Sequence, residues 1–206
     1  MTLHRPLAPG VAFTSAPEGL RAIHAAGAGG VIWRRAPLAS FQQWIEGLDP
    51  AVLPRARVIL RPEAARDAVI AASDSAGLPD VPERARLADD VAALADIFAE
   101  LTRARWLRLR LDVIATNACR RFHIDRVTAR LVCTYRGSGT QYGVSAQGDP
   151  AIVHAVPTGS PFVMRGTLWP GATGPELLHR SPPIKGTGET RLMLVLDPVT
   201  DPEEVP

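Results

Sequence analysis

The spacing of apolar positions changes once along the chain, near residue 105. Before that point Leu87, Val91, Leu94, Phe98 and Leu101 recur at intervals of three and four, which predicts a helix over 82–105 with one buried face. Asp80 and Glu83 give it a D-x-x-E start, and Pro82 suits its first turn. After that point Leu107, Leu109, Leu111 and Val113 alternate with Arg108, Arg110 and Asp112, the period of a half-buried strand. Alternation returns over 127–135, and shorter strand signals follow at 152–156, 162–165 and 191–196. Arg136-Gly137-Ser138-Gly139 predicts a hairpin turn.

The first hundred residues carry weaker signals. A short apolar strand is expected over 30–34 and another over 57–60. Ser40 is placed to cap a helix through Leu48, with Gln43 in the capping-box position, and Pro62 to open a helix ending before Gly77. The expected product is an α+β single domain over 1–206: a mainly helical scaffold over 1–105, packed outside the sheet of a β-rich core over 106–206. Short strands separated by Gly- and Pro-containing turns favour a sandwich or small barrel.

At 206 residues the chain is long enough to bury a sizeable core. Its formal charge is +2, and no apolar run approaches the ~20 residues that a membrane span needs. Met1–Pro6 lacks the apolar stretch of a secretory signal, and Cys119 and Cys133 are too few for a disulfide framework, so a cytoplasmic setting is expected. Lys185 is the only lysine. The arginines between Arg103 and Arg136 form a basic run that is either a solvated strand face or a surface for an anion or a nucleic acid. A near-neutral net charge and only 5% aromatic residues weigh against nucleic acid.

The sharpest chemical signal is Phe122-His123-Ile124-Asp125 together with His179 and Arg191. Alternate side chains of an extended segment point the same way, so His123 and Asp125 can converge on one ion. His179, in Leu177-Leu178-His179-Arg180-Ser181, would supply the third ligand from a returning strand. Two imidazoles and a carboxylate are the donor set of a facial iron(II) site with open positions, and the same donors also suit zinc. Arg191 opens a strand on which it shares a face with Met193 and Val195, and a guanidinium there can hold a carboxylate bidentately.

The order H-x-D, then Phe162-Val163-Met164-Arg165-Gly166, then His179-x-Ser181 and Arg191, resembles iron(II)/2-oxoglutarate-dependent dioxygenases of the phytanoyl and prolyl hydroxylase type. That resemblance implies a double-stranded β-helix (jelly roll, cupin-like), with His123, Asp125 and His179 as iron ligands and Arg191 as the anchor of 2-oxoglutarate. Ser181, Arg130, Thr134 and Tyr135 are the further candidates for contact with the cosubstrate, although alternation puts Tyr135 on the face opposite Arg130 and Thr134. More closely, three segments with the early Ile32-Trp33-x-Arg35 are similar to an uncharacterised bacterial family, domain of unknown function 1826. The segments are Phe122-His123-x-Asp125, Arg130-Leu131-x-x-Thr134-Tyr135-Arg136-Gly137-x-Gly139-Thr140 and His179-Arg180-Ser181-Pro182. The β-rich half is short for eight strands with loops, so a minimal or incomplete barrel is expected.

Three function classes follow. An oxygenase using Fe(II) and 2-oxoglutarate fits the full constellation. A non-catalytic divalent-metal-binding protein, handling zinc, fits the three ligands alone. A nucleic-acid module fits only the basic run. Cys133 and His154 are expected to be structural, and His4 and His24 have no acidic or thiol partner nearby in sequence. No motif singles out a primary substrate, small molecule or side chain.

Overall fold

The alternation that begins at Trp106 becomes the spine of a large sheet. In the computed structural model, which describes residues 8–171 and 176–203, strand β4 (Trp106–Ile114) pairs antiparallel with β10 (Arg191–Val199), and β10 pairs antiparallel with β5 (Ala129–Arg136). Beyond β5 lie β8 (Phe162–Arg165), β2 (Gly30–Trp33) and β1 (Val11–Thr14), and beyond β4 lies β3 (Ala56–Leu60). The sheet therefore takes strands from the N-terminal hundred residues on both of its edges. Only β1 and β2 run parallel. Met1–Pro6 and His4 lie outside the described residues.

A second sheet of β7 (His154–Ala155), β6 (Gln141–Val144) and β9 (Leu177–Arg180) faces the first. Tyr142 and Leu177 from it pack on Ile32, Val132, Phe162, Met164 and Val195 of the large sheet. The segment before β5 joins this small sheet through a single antiparallel bridge, His123 to His179. With that bridge counted as a strand, β4 to β10 complete an eight-stranded jelly roll; the economy that its length demanded falls on this one strand.

The outer face of the large sheet is covered by helices. Helix α3 (Pro82–Thr102) buries Leu87, Val91, Leu94, Phe98 and Leu101 against Leu107, Leu109, Leu131 and Leu194, joined by α1 (Ala39–Gly47) and α2 (Ala65–Ser75). The helix stops short of residue 105 because Arg103 takes a left-handed conformation (φ 55°) and the Ala104 N–H returns to the Ala99 carbonyl. Neither expected side-chain cap forms. Leu38 precedes α1, which leaves Ser40 inside the first turn, and Val81 rather than Asp80 precedes α3. The helix expected from Pro62 opens as a 3-10 turn, Pro62–Ala64, before α2.

The Arg136–Thr140 segment is not a hairpin turn. It carries the chain from the large sheet to the small one, since β5 and β6 share no hydrogen bonds. Gly139 is required there: a Cβ would stand 1.8 Å from the Val156 carbonyl oxygen. Gly139→Ala is expected to destabilise the fold by ~2 kcal/mol or more in urea denaturation. Gly47→Ala, at a helical site with open space around it, is expected to be neutral or slightly stabilising.

Candidate metal centre

His123 and His179 exchange both backbone hydrogen bonds, N–H to O at 3.1 and 3.0 Å. Residues paired in this way stand directly opposite and project their side chains to one face. The two imidazole rings accordingly lie 4.6 Å apart, and Asp125, two residues along the same segment, joins them. One ligand atom from each of the three residues falls within 4.8 Å of the others.

Each ligand is oriented by a neighbour. His123 Nδ1 lies 2.8 Å from the Arg121 carbonyl, which can only accept, so Nδ1 carries the proton and Nε2 offers its lone pair to the centre. Arg130 Nη1 holds Asp125 Oδ1 at 2.5 Å, and the same guanidinium donates to both oxygens of Asp197 at 2.6 and 2.8 Å. After Asp125 the backbone is pinned to the end of β8: Thr167 N–H donates to the Asp125 carbonyl and Gly166 N–H to that of Thr128. Gly166 permits this approach, since a Cβ there would stand 2.0 Å from the Val127 carbonyl oxygen.

The electrostatics suit a cation. Burial pushes the Asp125 carboxyl upward, but the two imidazoles and Arg130 outweigh it and hold the group well below the usual carboxylate range. Burial also lowers the pKa of His179, which favours the neutral, ligating imidazole. Asp125 Oδ2 is buried and has no hydrogen bond; His179 Nε2, 2.9 Å away, is not aligned to donate to it. A buried carboxylate with one oxygen lacking a donor, His179 Nε2 2.9 Å from that oxygen and His123 Nε2 3.5 Å from the other, fits a divalent ion.

Arg191 stands on the same inner face, fully buried at the start of β10. Nε donates to the Ser138 carbonyl at 2.6 Å, Nη1 to Ser181 Oγ at 3.3 Å and Nη2 to Thr134 Oγ1 at 3.3 Å. No carboxylate among the described residues lies within ion-pair distance of it. Burial pushes its pKa down to about 10, and only the more distant Glu189 opposes that shift.

Of the residues proposed from sequence, His123, Asp125, His179, Arg130, Ser181, Thr134 and Arg191 meet in this interior. Tyr135 does not. Its side chain crosses to the helix side, where its hydroxyl donates to Asp90 Oδ2 at 2.6 Å beside the Arg35–Asp90 pair. Cys133 is buried on that side as well, its thiol pushed up to about 12 by burial. His154 stacks on Tyr142, and His24 packs at a tilt against Trp169. Asp197 escaped the sequence reading because it lies 67 residues from the Arg130 it anchors.

A cavity of about 550 Å³ opens beside the centre, lined by His123, His179, Arg130, Ser181, Met193 and Val195 among others. The pattern of the family described as a protein of unknown function (DUF1826) matches residues 14–197. The chain belongs to this family. By sequence, none of the curated proteins compared with this DUF1826 chain matches it.

Its fold is similar to that of dioxygenase for auxin oxidation 1 from Arabidopsis thaliana, solved with 2-oxoglutarate, at a TM-score of 0.57 and 9% identity over 94% of this chain and 92% of that one. It is also similar to the dioxygenase for auxin oxidation in rice, at a TM-score of 0.52 and 14% identity over 94% and 83%. At these identities the likeness carries the jelly-roll fold.

Two outcomes are expected of metal titrations. Metal binding needs His123 unprotonated, and its pKa is raised, chiefly by the contact with Asp125. That pairing stabilises the metal-free protein at pH below the ordinary histidine value, and the contribution is lost as pH rises through the raised pKa. Affinity for Co(II), measured by chelator competition, should therefore fall as pH drops below that pKa, by about tenfold per unit for one displaced proton. Arg130→Gln should weaken binding by about 10–100-fold at constant pH, as expected for a group that orients a ligand.

Proposed function

We propose that this chain is a non-haem iron(II)/2-oxoglutarate-dependent oxygenase. The observation that carries the proposal is Arg191, a buried guanidinium with neutral partners only, on the inner face that also bears the His-Asp-His group. Leaving a buried cation unpaired is costly. The folded chain holds this proton less tightly than the unfolded chain, so the group opposes folding at neutral pH, and a bound carboxylate relieves that cost.

In this reading His123, Asp125 and His179 hold iron(II), and Arg130 keeps the Asp125 carboxylate turned toward it. Bound there, iron(II) would supply dioxygen activation coupled to oxidative decarboxylation of 2-oxoglutarate. Arg191 takes the distal carboxylate of 2-oxoglutarate, and Ser181 and Thr134 hold the guanidinium flat against β5 and β10. Val132, Val195, Phe162 and Tyr142 pack as an apolar cluster between the two sheets. A protein that only stored zinc would use the same three ligands and would have no use for an unpaired Arg191.

The test is calorimetric titration of 2-oxoglutarate into Zn(II)-loaded protein. Binding is expected, and at about 100 times its dissociation constant 2-oxoglutarate should stabilise the fold by about 2.7 kcal/mol. Arg191→Gln should weaken it by roughly 100-fold, the worth of a charge-assisted bidentate pair, while metal affinity stays within a few-fold. Firm metal binding with no response to 2-oxoglutarate would favour the metal-handling reading instead.

A further inference from the structure

Further along β10 from Arg191, the inner face of the jelly roll turns basic. Arg57 on β3 and Arg110 on β4 are register partners, and Arg110 pairs in turn with Val195 on β10. Both arginines line the cavity that His123 and His179 also line. Arg110 is four-fifths buried, and its Nε is buried without a hydrogen-bond partner. Its closest carboxylate oxygens, on Asp112 and Asp197, are 3.8 Å away, too long for hydrogen bonds, and Asp197 already receives two from Arg130. Arg57 is exposed, and its side chain makes no hydrogen bond or ion pair with any described residue. Among the described residues Asp112 is the only acid in the cavity lining. Two guanidinium groups with uncommitted donors thus face the same space as the metal centre.

The cosubstrate does not account for them. Arg191 and the Val195 position opposite Arg110 are four residues apart on β10, about 13 Å of strand at 3.3 Å per residue. The same cavity has an apolar part to its lining, Val132, Val195 and Ala118, beside the charged Arg130 that holds Asp125.

We propose that Arg57 and Arg110 bind the anionic group, carboxylate or phosphate, of a small organic substrate whose apolar body lies over Val132 and Val195 toward the His123–Asp125–His179 centre. Two adjacent forked donors match the oxygens of either anion. The inference rests on the oxygenase reading for the role of the bound molecule; the anion site itself stands on the arginines and the cavity.

The test uses Zn(II)-loaded protein saturated with 2-oxoglutarate, probed by ligand-observed NMR and calorimetry with phenylacetate, phenyl phosphate and the neutral 2-phenylethanol. At least one anion is expected to bind, and the alcohol to bind at least tenfold more weakly; the preferred anion separates carboxylate from phosphate recognition. Arg110→Gln should weaken that anion at least tenfold and leave the 2-oxoglutarate dissociation constant within twofold. Arg57→Gln, at an exposed site, should weaken it at least threefold.

The proposal is overturned if neither anion binds at millimolar concentration, if the alcohol binds equally well, or if both arginine variants bind the anion like wild type. It is also overturned if Arg110→Gln removes 2-oxoglutarate together with the anion, because these arginines would then belong to the cosubstrate site. Should the protein ignore 2-oxoglutarate yet bind an anion through Arg110, the oxygenase reading fails and the anion site stands.

Discussion

The pair of backbone hydrogen bonds between His123 and His179 is the constraint on which the rest depends. It is the whole of one strand of the jelly roll, and it closes the small sheet against the segment that leads into β5. Because the two residues are hydrogen-bonded partners, their side chains leave the backbone on the same side at a fixed separation. The fold therefore delivers two imidazoles to one point without asking any loop to find its own conformation. Asp125 follows by strand alternation, and the pinned turn through Gly166 keeps it there.

Around that bridge the interior charges fall into two kinds. In Asp125, Arg130 and Asp197 one guanidinium serves two carboxylates, leaving only Asp125 Oδ2, on the side of the imidazoles, without a hydrogen bond. Arg191 has no carboxylate partner among the described residues, and Arg110 has two carboxylates only at 3.8 Å and a buried Nε without a hydrogen bond. Satisfied groups hold a geometry, while unsatisfied buried cations favour an anion that the chain does not itself provide. The contrast between these two kinds, more than the presence of a metal-binding triad, separates a cosubstrate-using site from a simple metal clamp.

Much of this was legible in the sequence where the physical signal is local. The stripe on α3 and the alternation in β4, β5 and β10 are long enough to override noise, and the H-x-D spacing states its own geometry. Arg191 was expected to face inward with Met193 and Val195, and it does. Other features were hidden because they depend on pairing between distant segments. Strands β1 and β6 are four residues each and carry almost no periodicity. The crossover at Gly137–Gly139 has the composition of a hairpin turn, and only the sheet partners of β5 and β6 tell the two apart. Ser40 and Asp80 look like caps, yet the chain enters each helix at a different residue.

The central claim is that one interior holds both a metal and the carboxylate of 2-oxoglutarate. It is tested most directly by loading the protein with iron(II) without oxygen, adding 2-oxoglutarate, and recording the visible spectrum. A weak charge-transfer band from the chelated complex is expected in wild-type protein and is expected to be absent in His179→Ala. Iron binding with no band at any 2-oxoglutarate concentration would contradict the account.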